Sequence, residues 1–166
     1  MRILGIDPGL NVTGYGAIVA DGRRLQLITA GDIRPPRRQP LAGRLDYLHQ
    51  ALDALLAQQH PDTVVLEMVF THQDYVSTAA LMAHARGVAC LAVQQYGIPL
   101  MEYPTARVKQ ALTGHGAATK QQVARMVAQW LGGGDASWSF DATDALALAI
   151  AHAHMQGQHA LAGVRK

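Results

Sequence analysis

A single cysteine, Cys90, is all the thiol chemistry that this 166-residue chain carries. One thiol excludes a disulfide framework and a cysteine-rich zinc site, and it fits a reducing compartment such as the cytoplasm. Charge is scarce: charged residues make up 16% of the chain against 49% hydrophobic, which excludes wholesale disorder. No apolar run reaches the about 18 residues needed to cross a bilayer, so no membrane partner is expected. The opening MRILGIDPG interrupts its apolar stretch with an aspartate and does not read as a signal peptide. Glutamate and lysine are the rarest charges, with only Glu67 and Glu102 against Lys109, Lys120 and Lys166. Arginine supplies the ordinary surface charge, so the place of each Glu and Lys needs a reason. A net charge of +2 is a weak pull toward a polyanionic partner. The expected organisation is one domain over residues 1–155, followed by a flexible tail over 156–166.

The apolar pattern predicts the elements. Arg2–Ile6 reads as a strand ending at Asp7, before the turn-formers Pro8 and Gly9. Val12–Val19 is a second strand, and alternating Leu25, Leu27 and Thr29 mark a third, joined by short links into an antiparallel meander. Arg34–Pro40, with its prolines and arginines, is a basic surface link. Leu41, Leu45, Leu48, Leu52, Leu55 and Leu56 follow a helical period. Thr63–Phe70 is a near-continuous apolar run, the mark of a strand covered on both faces. Helices are predicted over Thr78–Gln95, Pro104–Leu112, Lys120–Leu131 and Asp141–Met155, with a short strand over Ile98–Tyr103. The fold class is therefore α/β: a mixed five-stranded sheet, three strands antiparallel plus two parallel crossover strands, with helices on both faces.

Four carboxylates stand out against that frame. Asp7 ends the first strand, and Glu67 is the only charge inside VVLEMVF. An unpaired carboxylate buried at mid-strand costs several kcal/mol, so a cation is expected near it. Asp141 and Asp144 stand three apart near the start of the last helix and share one face of it. Three have a bland account taken alone, an Asx turn for Asp7, an N-cap for Asp141 and a first-turn acid for Asp144, whereas Glu67 is harder to explain away. Brought together by neighbouring first and fourth strands, the four would repel one another unless divalent cations neutralised them. All-oxygen ligands favour Mg²⁺ or Mn²⁺. Two such ions about 3.5–4 Å apart suit in-line phosphodiester hydrolysis.

GIDPGLNVTGYG, LEMVF, ARG at 85–87, YPTARVKQALTGHGAATKQQVARMV and FDATDALALAIAHAH, in that order, resemble the RuvC-type Holliday junction resolvases. The resemblance runs from about residue 1 to 155, and it implies that this span is an RNase H-like nuclease domain. It implies a homodimeric endonuclease cutting four-way DNA junctions by paired nicks, leaving a 5′-phosphate and a 3′-hydroxyl. Asp7, Glu67, Asp141 and Asp144 become the metal-binding catalytic carboxylates. Lys109 and Lys120 are implied to serve the DNA, and Phe70 to contact bases at the branch point; a branch-migration helicase is a further implied partner. Lys120 opens an amphipathic helix after a Gly-rich loop, an unfavourable place for a merely solvated lysine and a good one for stabilising charge on a scissile phosphate. Phe70 at the end of a buried strand could stack on an unpaired base, with Tyr75 a weaker second candidate. Arg86 is assigned no role.

Two other readings remain open. An ATPase or sugar-kinase-like protein shares a Gly-Ile-Asp-x-Gly turn but needs two lobes and about twice this length. A non-catalytic junction-binding module gains nothing from carboxylates facing phosphates.

Overall fold

The computed structural model describes residues 1–68, 76–133 and 138–163, with side-chain surroundings for all of these except 76–79 and 158–163. Three strands, β1 (Arg2–Asp7), β2 (Thr13–Asp21) and β3 (Arg24–Ile33), lead into helix α1 (Leu41–Gln59). Strand β4 (Thr63–Glu67), helix α2 (Val76–Gln95) and strand β5 (Leu100–Tyr103) follow. Helices α3 (Thr105–Thr113), α4 (Lys120–Trp130) and α5 (Phe140–Gly163) complete the described elements. The sheet order is β3-β2-β1-β4-β5. Pairing is antiparallel through β1, β2 and β3 and parallel through β1, β4 and β5, as the sequence pattern predicts.

Alternation along the strands assigns each side chain to a face. Leu4, Ile6, Val64 and Leu66 join Leu48, Leu52, Leu55 and Leu56 of α1 and the alanines of α2 in one core. Ile3 and Val65 point the other way, into a second core with α3, α4 and α5. Asp7 and Glu67 share the parity of Ile3 and Val65, so the pleat directs both toward α5. Glycines let that helix come close. A Cβ at Gly5 would lie 1.9 Å from the Ala145 carbonyl oxygen, and one at Gly14 would lie 2.0 Å from that of Asp141. The first turns of α5 therefore rest on bare strand backbone.

Three departures from the sequence reading bear on the site. Strand β4 ends at Glu67 with Met68 already outside it, and the rest of the run predicted to Phe70 lies outside the described residues. Its two neighbours end beside it, β1 before Pro8 and β5 before Pro104, and the Met68 N–H donates to the Tyr103 carbonyl at that shared edge. Glu67 is thus a half-buried strand-end residue, not a mid-strand charge. Helix α5 continues past Met155 to Gly163, because no proline interrupts QGQHALAG and its Gln, Ala and Leu favour helix. Residues 156–163 of the expected flexible tail are therefore helical. Strand β3 is also longer than predicted and brings Asp32 opposite Gly14, which itself pairs with Asp7.

Candidate active site

Asp7, Glu67 and Asp144 line one cavity of about 140 Å³ together with Lys109, Lys120 and Thr105. β1 and β4 run parallel side by side and bring the first two to the same end of the sheet. Asp144, one turn into α5, comes from the helix laid across that end. Asp141 is not among the residues lining the cavity, but it is close enough to act on the charge of Asp7. Sequence elements 137 residues apart in numbering, from Asp7 to Asp144, thus meet at one point.

The electrostatics are those of an acid surplus. Asp7 is pushed up to about 7, first by burial and then by the negative charges of Asp144, Glu67 and Asp141, with Lys120 opposing. Asp141 is also raised, by burial first and then by Asp32 and Asp144. Lys120 Nζ lies 3.3 Å from Asp144 Oδ2, and that carboxylate is the main reason its ammonium titrates above the usual lysine range. With 68% of the lysine side chain exposed, the pair adds no more than about 1 kcal/mol to stability. Its worth is placement. Thr119 and Gln122 form a capping box that starts α4 at Lys120 and fixes where the ammonium emerges.

Glu67 is held from two sides. The Thr105 hydroxyl, at the start of α3, donates to Glu67 Oε1. Arg86 donates to the Glu67 backbone carbonyl at 2.6 Å and pairs with the Glu102 carboxylate. The cation expected beside Glu67 therefore binds its backbone, while among the described residues no cationic group pairs with its carboxylate. Thr105 and Arg86 were not legible as site residues. Thr105 follows Pro104 and reads as an ordinary helix start, and Arg86 lies amid alanines with no local partner. Phe70 and Tyr75 lie outside the described residues.

The donor set suits a hard divalent cation. Every nearby donor is a carboxylate or hydroxyl oxygen, and among the described residues Lys120 alone opposes the like charges around Asp7. Among the described residues no three Asp, Glu, His or Cys side chains close into a finished metal cage. Asp144 is turned to Lys120 and Glu67 to Thr105. His152 and His154 are engaged elsewhere: His152 is hydrogen-bonded to the Tyr103 hydroxyl at 2.8 Å, and His154 Nδ1 faces the Ala111 carbonyl.

Comparison with known proteins gives this geometry a family. The RuvC family, described as crossover junction endodeoxyribonuclease RuvC, matches residues 3–152. A protein of that description from Halorhodospira halophila is 50% identical over 92% of this chain and 90% of its own. One from Bradyrhizobium diazoefficiens is 43% identical over 97% of this chain and 91% of its own. Among solved structures, Thermus thermophilus RuvC in complex with Holliday junction substrate superposes with a TM-score of 0.89 at 31% identity, covering 96% of both chains. The fold is therefore that of the RuvC crossover junction endodeoxyribonucleases, a family of metal-dependent nucleases, and the chain belongs to it.

Proposed function

We propose that the chain is a divalent-metal-dependent endonuclease that resolves four-way DNA junctions, with Asp7, Glu67, Asp141 and Asp144 as its metal-binding carboxylates. The observation that carries this reading is the convergence of these acids at the carboxyl ends of β1 and β4, where burial first and then the charges of Asp144, Glu67 and Asp141 push Asp7 up to about 7. A protein that only bound DNA would be weakened by such a cluster facing phosphate. The chemistry that two bound Mg²⁺ or Mn²⁺ ions supply is acidification of water and neutralisation of charge on the scissile phosphate. The chain's own residues do the rest. Thr105 and Arg86 hold Glu67 in place, and the capping box aims Lys120 across the cavity mouth. Lys109 and Lys120 draw the phosphate in, and Lys120 is close enough to Asp144 to exchange that carboxylate for a phosphate oxygen. Phe70 is proposed to stack at the branch point.

Paired nicking needs two such sites related by a two-fold axis, so a homodimer belongs to the same reading. Helix α2 supports it: Leu81 is 43% and Leu91 53% exposed. Ala83, His84, Gly87, Val88 and Leu91 line a shallow apolar recess between them. Leu91→Glu is expected to leave a monomer in sedimentation equilibrium. A branch-migration helicase as a further partner, and a cytoplasmic location with the chromosome, complete the proposal.

The test is cleavage of a synthetic immobile junction, with products mapped to the nucleotide. The protein is expected to nick opposed strands in Mg²⁺ or Mn²⁺ and to be silenced by EDTA. Asp7→Asn and Glu67→Gln should each lower the rate by at least about a hundredfold while junction binding persists in a gel shift. Undiminished cutting by either variant overturns the assignment.

A further inference from the structure

We propose that Asp32 is a positioning residue for the acidic cluster, acting through Ser139 on the first turn of α5. The inference rests on the nuclease reading for its consequence, though not for its geometry.

Ser139 is the residue immediately before α5, and its hydroxyl is fully used. Its Oγ accepts from the Ala142 backbone N–H at 3.0 Å, capping the helix, and donates its one proton to Asp32 Oδ1 at 2.5 Å. The Ser139 carbonyl accepts from both the Thr143 N–H and the Thr143 hydroxyl. Asp32 Oδ2 in turn accepts from Arg34 at 2.6 Å, so both of its oxygens are engaged and the side chain is only 15% exposed. Asp32 sits across β2 from β1, in register with Gly14 and hence with Asp7.

Helix α5 rests on glycine backbone at Gly5, Gly14 and Gly16, which gives close approach but few side-chain obstacles to sliding or rolling. Over the middle of the helix, packing of Leu146 and Ile150 in the second core sets the register. The start of the helix, with Asp141 in its first turn and Asp144 just beyond it, meets the Gly14 backbone instead. Asp32 supplies the missing lateral tie, a charge-assisted hydrogen bond from the edge of the sheet to the N-cap. A cap bonded only to its own helix travels with it; a cap bonded to β3 does not. Asp32 thereby sets where two of the four carboxylates stand relative to Asp7, much as outer partners orient metal ligands elsewhere.

The test compares Asp32→Ala, Asp32→Asn, Ser139→Ala and the Asp32→Ala/Ser139→Ala double variant, each as the full chain. Amide hydrogen exchange on the metal-free protein should be at least about tenfold faster at Ala142 and Thr143 in Asp32→Ala and unchanged at Ile150. Single-turnover junction cleavage should fall about tenfold or more, the half-saturating Mn²⁺ concentration should rise, and the gel-shift Kd should stay within about twofold of the parent. Asp32→Asn keeps an acceptor for the Ser139 proton and should recover most of the rate. The double variant should be no slower than the slower single one, because both act through one bond. Additive losses, or parent-like exchange and cleavage in Asp32→Ala, overturn the proposal. If the parent protein itself fails to cut the junction, the nuclease reading falls, while the exchange measurement still decides whether Asp32 holds the first turn.

Discussion

The two faces of the sheet are packed by opposite means. Against α1 and α2 the strands present Leu4, Ile6, Val64 and Leu66, and α1 answers with four buried leucines. Under α5 the strands present Gly5, Gly14 and Gly16, and α5 answers with Ala142, Ala145 and Ala149, each nearly or wholly buried. Large side chains keep two layers about 10 Å apart and fill the gap with apolar volume. Small ones let a helix settle onto the backbone, so that polar groups at its start can meet polar groups at the strand ends. The leucine face stores stability, and the glycine face brings the acids within reach of one another.

The sharpest way to break that contrast is to damage each face separately. Leu52→Ala should cost about 2–5 kcal/mol in denaturant unfolding yet leave the folded fraction cutting at nearly the parent rate. Gly14→Ala should cost about 3 kcal/mol or more, since its Cβ would meet the Asp141 carbonyl, and should also cripple cleavage by the molecules that remain folded. Cleavage per folded molecule, measured below the melting transition, separates the two. Equal losses on both faces would erase the distinction.

Asp7 sharpens it further, because the glycine face accepts an electrostatic cost. With its carboxyl at about 7 in the metal-free fold and near 3.8 when unfolded, the native state binds more protons across that window. Stability should therefore fall as pH rises from about 4 to 7 and level off above. Asp7→Asn removes the penalty. The metal-free variant should be more stable than the parent at pH 8 by on the order of 1–2 kcal/mol, with the gap closing toward pH 4. Thermal melts in EDTA across that range check the sign, and a metal-free parent more stable than Asp7→Asn at pH 8 would contradict it.

The smallest effect is expected in the core behind the cluster. His152 is 2% exposed, and burial holds its imidazole below the usual histidine range. The unfolded chain then takes up the proton first, so stability is complete above about pH 6.5 and declines as pH falls below that value. His152→Gln should flatten this decline between about pH 6.5 and 5 in the same melts, while leaving cleavage at pH 8 within about threefold of the parent.

Much of this molecule can be read along the chain. The meander, the crossover strands and the leucine period of α1 depend on local alternation and spacing, and they stand close to where the pattern puts them. Glu67 shows the limit. Its setting reads as mid-strand because MVF continues the apolar run, and only the prolines ending the neighbouring strands stop the ladder at that residue. Lys120 and Asp144 could be singled out separately, but their 3.3 Å contact depends on how α4 packs on α5. Asp32 and Thr105 are ordinary polar residues at element ends and Arg86 is an arginine among alanines in the middle of α2, so no local pattern assigns any of them to the site.

What the sequence alone determined is therefore the inventory and its periodicity: which side chains alternate to which face, which acids are present, and where glycine leaves room. Tertiary structure decided which of those acids share a charge environment and which neutral or cationic groups hold them there. The reason is physical. Alternation and helix propensity act over a few bonds, whereas Asp7 is lifted by burial and by the charges of Glu67 on β4 and of Asp144 and Asp141 on α5, against Lys120 on α4. Those groups become neighbours only once the sheet is built and α5 has settled onto its glycines.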